Sequence, residues 1–379
     1  MSGPAGLAGP ALVALVGGVA GLLLHWFVGW MLAELDAALA EEEGRPVATA
    51  STRTSRAGWP VAAGCLLAVS LWAWEVTAGG LLPAAAMASA IPRAAAHLMF
   101  FWLLAAAAWV DIRHRVIPDI ITTPGVLLGL VAVWLLPDIL LPVLTMTPRS
   151  FAAAEVSSDL LTAWGGLAAG GPPMTPLGLP VAAGLFLLWW AVCTTPFYLV
   201  DEAAGATRGG KLWLWLREPR SLVLLVGLPL LVLAARLGGL RFVALESSLV
   251  GLAVSAGLVW LTRAGATLAL GREAMGMGDV TLMAMVGVWL GWQPAVLTFF
   301  LATFIGLGHG LFQLLRHREN ELPYGPSLCL AAAVVTVAWR PIWNLTGPFF
   351  ADPLQLGLVL GLVVVLTAVT LFAWQRLRG

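Results

Sequence analysis

The chain is expected to be an all-α polytopic membrane protein with about 9–11 transmembrane helices. Of its 379 residues 60% are hydrophobic and only 11% are charged, where a soluble domain carries about 25% charge. Mean hydropathy is +0.92. Apolar runs long enough to cross a bilayer recur from one end of the chain to the other, and 19 tryptophans suit both interface anchoring and helix packing.

About eleven apolar segments follow one another. They lie near 11–33, 59–82, 94–110, 120–145, 179–199, 221–240, 246–270, 280–292, 295–315, 326–345 and 354–374. The eighth is short for a full crossing, as a tilted helix or one lining a water-filled cavity would be. The first, Ala11–Leu32, is too long for a signal-peptide core and has no basic leader, so no cleaved leader is expected. Residues 34–57, with Glu41, Glu42 and Glu43 and a Thr/Ser/Arg stretch, are expected to form a short mobile connection. Residues 146–178, rich in Gly, Pro, Ala and Thr, are expected to be an external loop, and 200–220 a charged internal one. The chain then divides into 1–93 (N-terminal spans), 94–145 (helices of a first motif), 146–245 (an inserted loop and spans), 246–345 (helices of a second motif) and 346–379 (a C-terminal span).

Basic residues orient this array, because Lys and Arg accumulate in cytoplasmic loops. With the N-terminus outside, the odd-numbered loops hold Arg45, Arg53 and Arg56, then Arg113 and Arg115, then Arg208, Lys211, Arg217 and Arg220. Arg263, Arg272, Arg316 and Arg318 follow, and the tail adds Arg376 and Arg378. The opposite loops hold Arg93, Arg149, Arg236, Arg241 and Arg340. Fifteen of the 20 basic residues thus fall on one side.

Other function classes receive no support. Net charge is zero, so nothing points to nucleic acid. Cys65, Cys193 and Cys329 are far apart, each in an apolar stretch, and form no Cys-x-x-Cys pair. They are expected to be small buried residues rather than a disulfide or zinc framework. No His/Cys/Glu ligand cluster suggests a metal, and no cofactor is expected.

Two short stretches carry the chemistry. Asp111-Ile-Arg-His-Arg-Val-Ile-Pro118-Asp119 and Ala274-Met-Gly276-Met-Gly278-Asp279 each place an aspartate at the edge of a long apolar run. A carboxylate at such a boundary is costly to desolvate and tends to mark function. Asp111 closes one span, and Pro118, which fixes φ and has no amide hydrogen, opens the next beside Asp119. Gly276 and Gly278 permit conformations and close approaches that a side chain would block. Each motif has a structural alternative: solvated acids in a basic turn for the first, and an N-capping aspartate for Asp279. The arginine bias puts both aspartates on one side. A paired carboxylate site then lets one acid keep its proton while the other activates water.

These motifs resemble those of the type IV prepilin peptidases, membrane aspartic proteases with a Gly-x-Gly-Asp motif. Asp111 precedes Pro118-Asp119 as an aspartate precedes a Pro-Asp pair in that family. Gly276-Met277-Gly278-Asp279, continued by Leu282–Gly287 and Trp289-Leu290-Gly291-Trp292, resembles its second motif, and Pro323-Tyr324-Gly325-Pro326 a later Pro-Tyr/Phe-Gly-Pro element. The resemblance covers roughly residues 95–135 and 272–335.

It implies that Asp111 and Asp279 are the catalytic pair, with Pro118, Asp119, Gly276, Gly278, Pro323, Gly325 and Pro326 as supporting residues. It also implies prepilin or pseudopilin-like substrates, cut on the cytoplasmic side of a bacterial inner membrane just before a hydrophobic helix. The lipid bilayer is the other expected partner.

The chain departs from the family's pattern in three places. Residues 34–57 contain no cysteine where bifunctional members carry a Cys-x-x-Cys domain, so no methyltransferase activity is expected. Thr281 stands where the family has a lysine. Asp111 and Asp279 are 168 positions apart, farther than is usual there, and the 146–245 insertion accounts for two added spans.

Other polar residues are expected to be structural. His25 is expected to pack, Glu75 to be interfacial, His114 to be solvated, and His97 and His309 to bond backbone across helices. Gly306, Gly308 and Gly310 either mark a helix contact face or simply permit close packing. The rival from another class is a transporter-like or scaffolding membrane protein that keeps the motifs without proteolysis, since boundary acids also serve ion pathways.

Overall fold

The computed structural model describes residues 5–42, 58–77, 90–141, 144–147, 150–153, 178–193, 219–271, 275–316 and 324–350, with single positions 357, 358, 361 and 365. Its helices are α1 (Ala5–Glu42), α2 (Gly58–Trp72), α3 (Ala90–His114), α4 (Asp119–Leu135), α5 (Gly178–Cys193) and α6 (Pro219–Leu237). They continue with α7 (Gly239–Leu270), α8 (Met277–Leu290), α9 (Trp292–Arg316), α10 (Gly325–Val337) and α11 (Trp339–Thr346). A π-helical turn (Ala73–Thr77) extends α2, and a 3-10 turn (Pro137–Ile139) follows α4. Among the described residues the fold is all-α apart from one antiparallel hairpin, β1 (Leu144–Thr147) with β2 (Ser150–Ala153), which pairs Leu144 with Ala153 and Thr147 with Ser150.

Among the described residues three helices are long and apolar enough to cross a membrane: Val13–Ala37, Ile91–His114 and Arg241–Leu268. The α10–α11 pair becomes a fourth if its 89° bend is counted as one broken span. Five shorter apolar helices include Asp119–Leu135 and Met277–Leu290. The protein is therefore a multi-pass membrane protein by its helices.

Ten of the eleven expected segments coincide with helices, and two details differ. Helix α1 continues to Glu42, so the first third of the expected 34–57 connection is helical. Its Ala/Leu/Glu composition favours continuation of the helix. The tenth segment breaks at Ala338 and restarts almost perpendicular to its first half, because Trp339 and Trp343 bury one face of α11 while Arg340, Asn344 and Leu345 stay exposed. Most of 146–178 and 200–220, and nearly all of 354–374, lie outside the described residues.

Helix α8 is the axis of the bundle. Every residue from Asp279 to Leu290 is buried, as expected of a helix apolar on all sides. It packs on α7, α4, α9 and α10. Small residues make this possible. Gly251 of α7 and Gly287 of α8 face each other with no room for a side chain between them. The Ser255 hydroxyl donates to the Met283 carbonyl at 2.7 Å and Ser248 to Val288 at 2.6 Å. On the α4 side, Trp289 Nε1 donates to the Gly125 carbonyl at 2.9 Å and stacks on Phe100 of α3 at 5.6 Å. Thr122 donates to the Thr281 hydroxyl at 3.2 Å, and Thr281 to the Gly278 carbonyl at 3.1 Å. The first turns of α4 and α8 are thereby tied side by side.

Candidate active site

Three helix ends meet at one end of the bundle. Helix α3 finishes just after Asp111, α8 starts just before Asp279, and α10 starts at Gly325. Helices α4, α8 and α10 are 17, 14 and 13 residues long. At 1.5 Å per residue the last two span only about 20 Å, less than the roughly 30 Å hydrocarbon core. Neither can by itself reach both membrane faces.

The turn after Asp111 is strained. The Arg115 amide donates to the Asp111 carbonyl at 2.8 Å, and Arg115 adopts φ 57. That left-handed conformation costs a non-glycine residue about 1–2 kcal/mol. It turns the chain back so that Val116–Pro118 run extended and Ile117 enters the core. Pro118 caps α4 with φ −78 and ψ 138, the geometry its ring imposes. Asp119 begins α4, exposed, with Cys193 of α5 as an electrostatic neighbour.

Ile117 is the hidden organiser. A Cβ added to Gly278 would lie 2.9 Å from Ile117 Cβ and 3.0 Å from its carbonyl oxygen. A Cβ on Gly325 would lie 2.9 Å from Ile117 Cδ1 and 2.5 Å from Asp111 Oδ2. Both glycines are therefore required by close approach, Gly278 to Ile117 and Gly325 to Ile117 and the Asp111 carboxylate. Gly276 differs. It is exposed, has ordinary extended dihedrals (φ −68, ψ 154), and has no tight neighbour. The expectation that Gly276 needs glycine's conformational freedom is not met. A Cβ there would sit 4.0 Å from Asp279 Oδ2, an ordinary van der Waals distance. Pro326 follows at the first turn of α10, where a missing amide hydrogen costs nothing. Pro323 lies outside the described residues.

Asp111 and Asp279 are 5% and 7% exposed and within electrostatic reach of each other. Asp279 lies in the first turn of α8. The residue in the cap position is Gly276, and no side-chain capping bond is made, so the N-cap alternative for Asp279 does not hold. Burial equally removes the alternative of solvated acids for Asp111. The Gly325 amide lies against the Asp111 carboxylate. Among the described residues Asp111 Oδ2 is buried without a hydrogen-bond partner.

Two further residues belong to this site and were not singled out as site residues in the sequence. Cys329, one turn into α10 and fully buried, lies within electrostatic reach of both aspartates. Tyr324 lies within reach of Asp279, and its hydroxyl meets that of Thr303 at 3.3 Å. Thr303 gives its own hydrogen to the Phe299 carbonyl at 3.0 Å, so Tyr324 donates to Thr303. Burial pushes the Tyr324 phenol up to about 12. The signal in the sequence for Tyr324 is its place in the Pro323-Tyr324-Gly325-Pro326 element, and for Cys329 its place one helical turn after Gly325.

The remaining polar residues divide. His25 packs beside Trp109 with ring centroids 6.3 Å apart. Glu75 is buried inside the bundle: it is 1% exposed and bonded to Arg93 and His97. His114 is not solvated. It is half-buried, with Nε2 3.4 Å from Asp36 of α1. Gly306 faces the Tyr324 ring, whereas Gly308 faces no neighbour within 4 Å, because residues two apart cannot share a helix face.

Comparison with known proteins agrees with these motifs. Residues 219–311, which include Asp279, match the model of the type IV leader peptidase family. Over this stretch the chain is similar to the type IV leader peptidases. It is 34% identical over 115 residues to a prepilin leader peptidase/N-methyltransferase of Aeromonas hydrophila, covering 29% of this chain and 39% of that one. The protein of the same description from Stutzerimonas stutzeri is 36% identical over 96 residues, 24% of this chain and 33% of the relative. The one from Escherichia coli (strain K12) is 31% identical over 92 residues, 24% of this chain and 41% of the relative. The chain thus spans well under half the length of the curated relatives it matches. No solved structure matches.

Proposed function

We propose that this protein is a membrane aspartic endopeptidase that removes leader peptides from prepilin or pseudopilin-like substrates. The observation that carries the proposal is the meeting of Asp111 and Asp279 at three helix ends. They are buried and mutually interacting, and Asp279 lies inside the stretch similar to the leader peptidases. Two carboxyls so placed cannot both ionise cheaply. One, ionised, takes a proton from water. The other, protonated, gives its proton to the carbonyl oxygen or leaving amine of the scissile bond, as paired general base and acid. The proton inventory belongs to the pair and not to either residue.

Pro118 and Ile117 set the turn, and Gly278 and Gly325 let Asp279 and Asp111 approach. The arginine bias supports a cytoplasmic location for this end of the bundle, in a bacterial inner membrane. The stretch similar to the leader peptidases begins at residue 219, so of the 146–245 segment only the part before 219 is left as an addition to the catalytic helices.

The test is co-expression with a candidate prepilin, followed by reading of the product's N-terminus. Cleavage by the wild type, lost in Asp111→Asn and in Asp279→Asn while both variants still insert, is the expected result. Cleavage retained by either variant would sink the dyad. Proton-coupled uptake by vesicles without any cleavage would favour the transporter-like rival.

A further inference from the structure

A second set of buried charges stands at the opposite end of α3, and the proposed chemistry makes no use of it. Glu75, on the π-helical turn, is 1% exposed; Arg93 is 2% and His97 0%. Arg93 Nε donates to Glu75 Oε2 at 3.3 Å, and His97 Nδ1 meets Glu75 Oε1 at 2.6 Å. His97 Nε2 meets the Ile139 carbonyl oxygen at 3.0 Å. Beside them, Trp74 Nε1 donates to the Val337 carbonyl at 2.9 Å. Residues up to 263 positions apart on the π-turn, α3, the 3-10 turn after α4 and the end of α10 are tied together here.

A carbonyl oxygen only accepts, so His97 Nε2 carries the hydrogen directed at Ile139. Across the 2.6 Å contact His97 Nδ1 and Glu75 share one hydrogen, and Arg93 bonds the other carboxylate oxygen, so both oxygens of Glu75 are engaged.

The placement along α3 gives this cluster its consequence. Arg93, His97, Phe100, Leu104, Ala107 and Asp111 are all buried and are spaced by four, three, four, three and four residues. Asp111 follows Arg93 by 18 positions, which is five helical turns and about 27 Å at 1.5 Å per residue. Arg93 and Asp111 therefore share one face of α3. Any rotation or slide of the helix that breaks the Glu75 contacts turns Asp111 away from Gly325 and Asp279 by the same amount.

We infer that Glu75, Arg93 and His97 are positioning residues: a buried ionic brace that locks the rotation and height of α3 and so holds Asp111 on Asp279. The inference rests on the peptidase reading only for its kinetic consequence, because the geometry stands without it.

The experiment uses the full chain in lipid nanodiscs and has three readouts. In ¹⁵N-histidine spectra the His97 ring, identified by its loss in His97→Leu, shows a hydrogen-bonded proton on Nε2, the nitrogen that meets the Ile139 carbonyl. With Asp111→Cys and Asp279→Cys in a background where Cys65, Cys193 and Cys329 are alanine, a short bifunctional reagent crosslinks the pair efficiently. That yield falls severalfold on adding Glu75→Gln or His97→Leu, and His97→Lys restores it, because an ammonium can donate to both Glu75 and Ile139. In the catalytically intact chain Glu75→Gln lowers kcat on the order of 100-fold, the effect of a roughly 1 Å misplacement, with KM unchanged.

A His97 ring with no proton on Nε2 would overturn the inference. So would crosslinking that survives Glu75→Gln and His97→Leu, or a loss of activity that appears equally in KM. Should Glu75→Gln fail to insert, His97→Leu against His97→Lys decides by the same crosslink. Failure of the peptidase reading looks different: the wild type cleaves no prepilin, while the crosslink and the spectrum still report on the brace.

Discussion

The two ends of α3 handle buried charge in opposite ways. At the Glu75 end a carboxylate is matched by Arg93 and His97, both of its oxygens are bonded, and the histidine reaches a backbone carbonyl besides. At the Asp111 end two carboxylates face each other, and among the described residues Asp111 Oδ2 has no hydrogen-bond partner. Burying a charge costs several kcal/mol unless it is paired. The fold pairs its buried carboxylate with Arg93 and His97 at the first end, although Arg93 Nη1 is buried there without a hydrogen-bond partner among the described residues, and it leaves two acids together at the second. The strained Arg115 turn stands at the second end too, where strain tends to be retained for function.

The comparison breaks most severely at the aspartates. Asp111→Asn and Asp279→Asn are each expected to reduce cleavage by roughly 10²–10⁴-fold or more, the range for loss of a general acid or base, with unchanged insertion and thermal unfolding. Asp279→Glu keeps the charge but moves it by one carbon, and is expected to lose on the order of 100-fold. Rate measurements on purified variants at saturating substrate check both. A carboxylate that could be neutralised without loss would place this end in the same class as the Glu75 end.

Glu75→Gln is the counterpart at the paired end. Removing one partner of a buried ion pair is expected to destabilise the fold by about 3–5 kcal/mol, read as a lowered unfolding midpoint in detergent. The aspartate variants are expected to show no such fall, and equal destabilisation at both ends would erase the distinction.

The glycines sharpen the comparison inside the site. Gly325→Ala sets a methyl against Asp111 Oδ2 and Ile117, and Gly278→Ala sets one against Ile117. Each is expected to cost on the order of 100-fold in kcat through about 1 Å of displacement. Gly276→Ala meets nothing tight and is expected to stay within a few-fold of wild type. If all three behaved alike, Ile117 would not be the organiser of this corner. Arg115→Gly is the smallest effect. It relieves a left-handed residue worth about 1–2 kcal/mol, partly offset by glycine's backbone entropy of about 0.5–1 kcal/mol, so unfolding shifts by no more than about 1.5 kcal/mol.

Local chemistry was enough for much of this protein. Apolar run length located ten helices because a span must bury its own backbone hydrogen bonds. Pro118 and the two aspartates announced themselves through residue type and spacing. The glycines announced themselves less evenly: Gly278 and Gly325 answer to close packing, whereas Gly276, two positions before Gly278 in the same motif, has none of the same constraint.

What the tertiary structure decided is everything that depends on partners remote in the chain. Glu75 reads as an isolated polar residue until Arg93, His97 and Ile139 surround it. Ile117 and Cys329 are ordinary apolar positions until α8 and α10 close on them. Thr281 carries no visible role until Thr122, 159 positions away, bonds to it. Helical periodicity and turn chemistry act over a few residues and are written locally. Pairing of buried charge and close packing of backbones depend on which helices become neighbours, and no single segment of this chain encodes that.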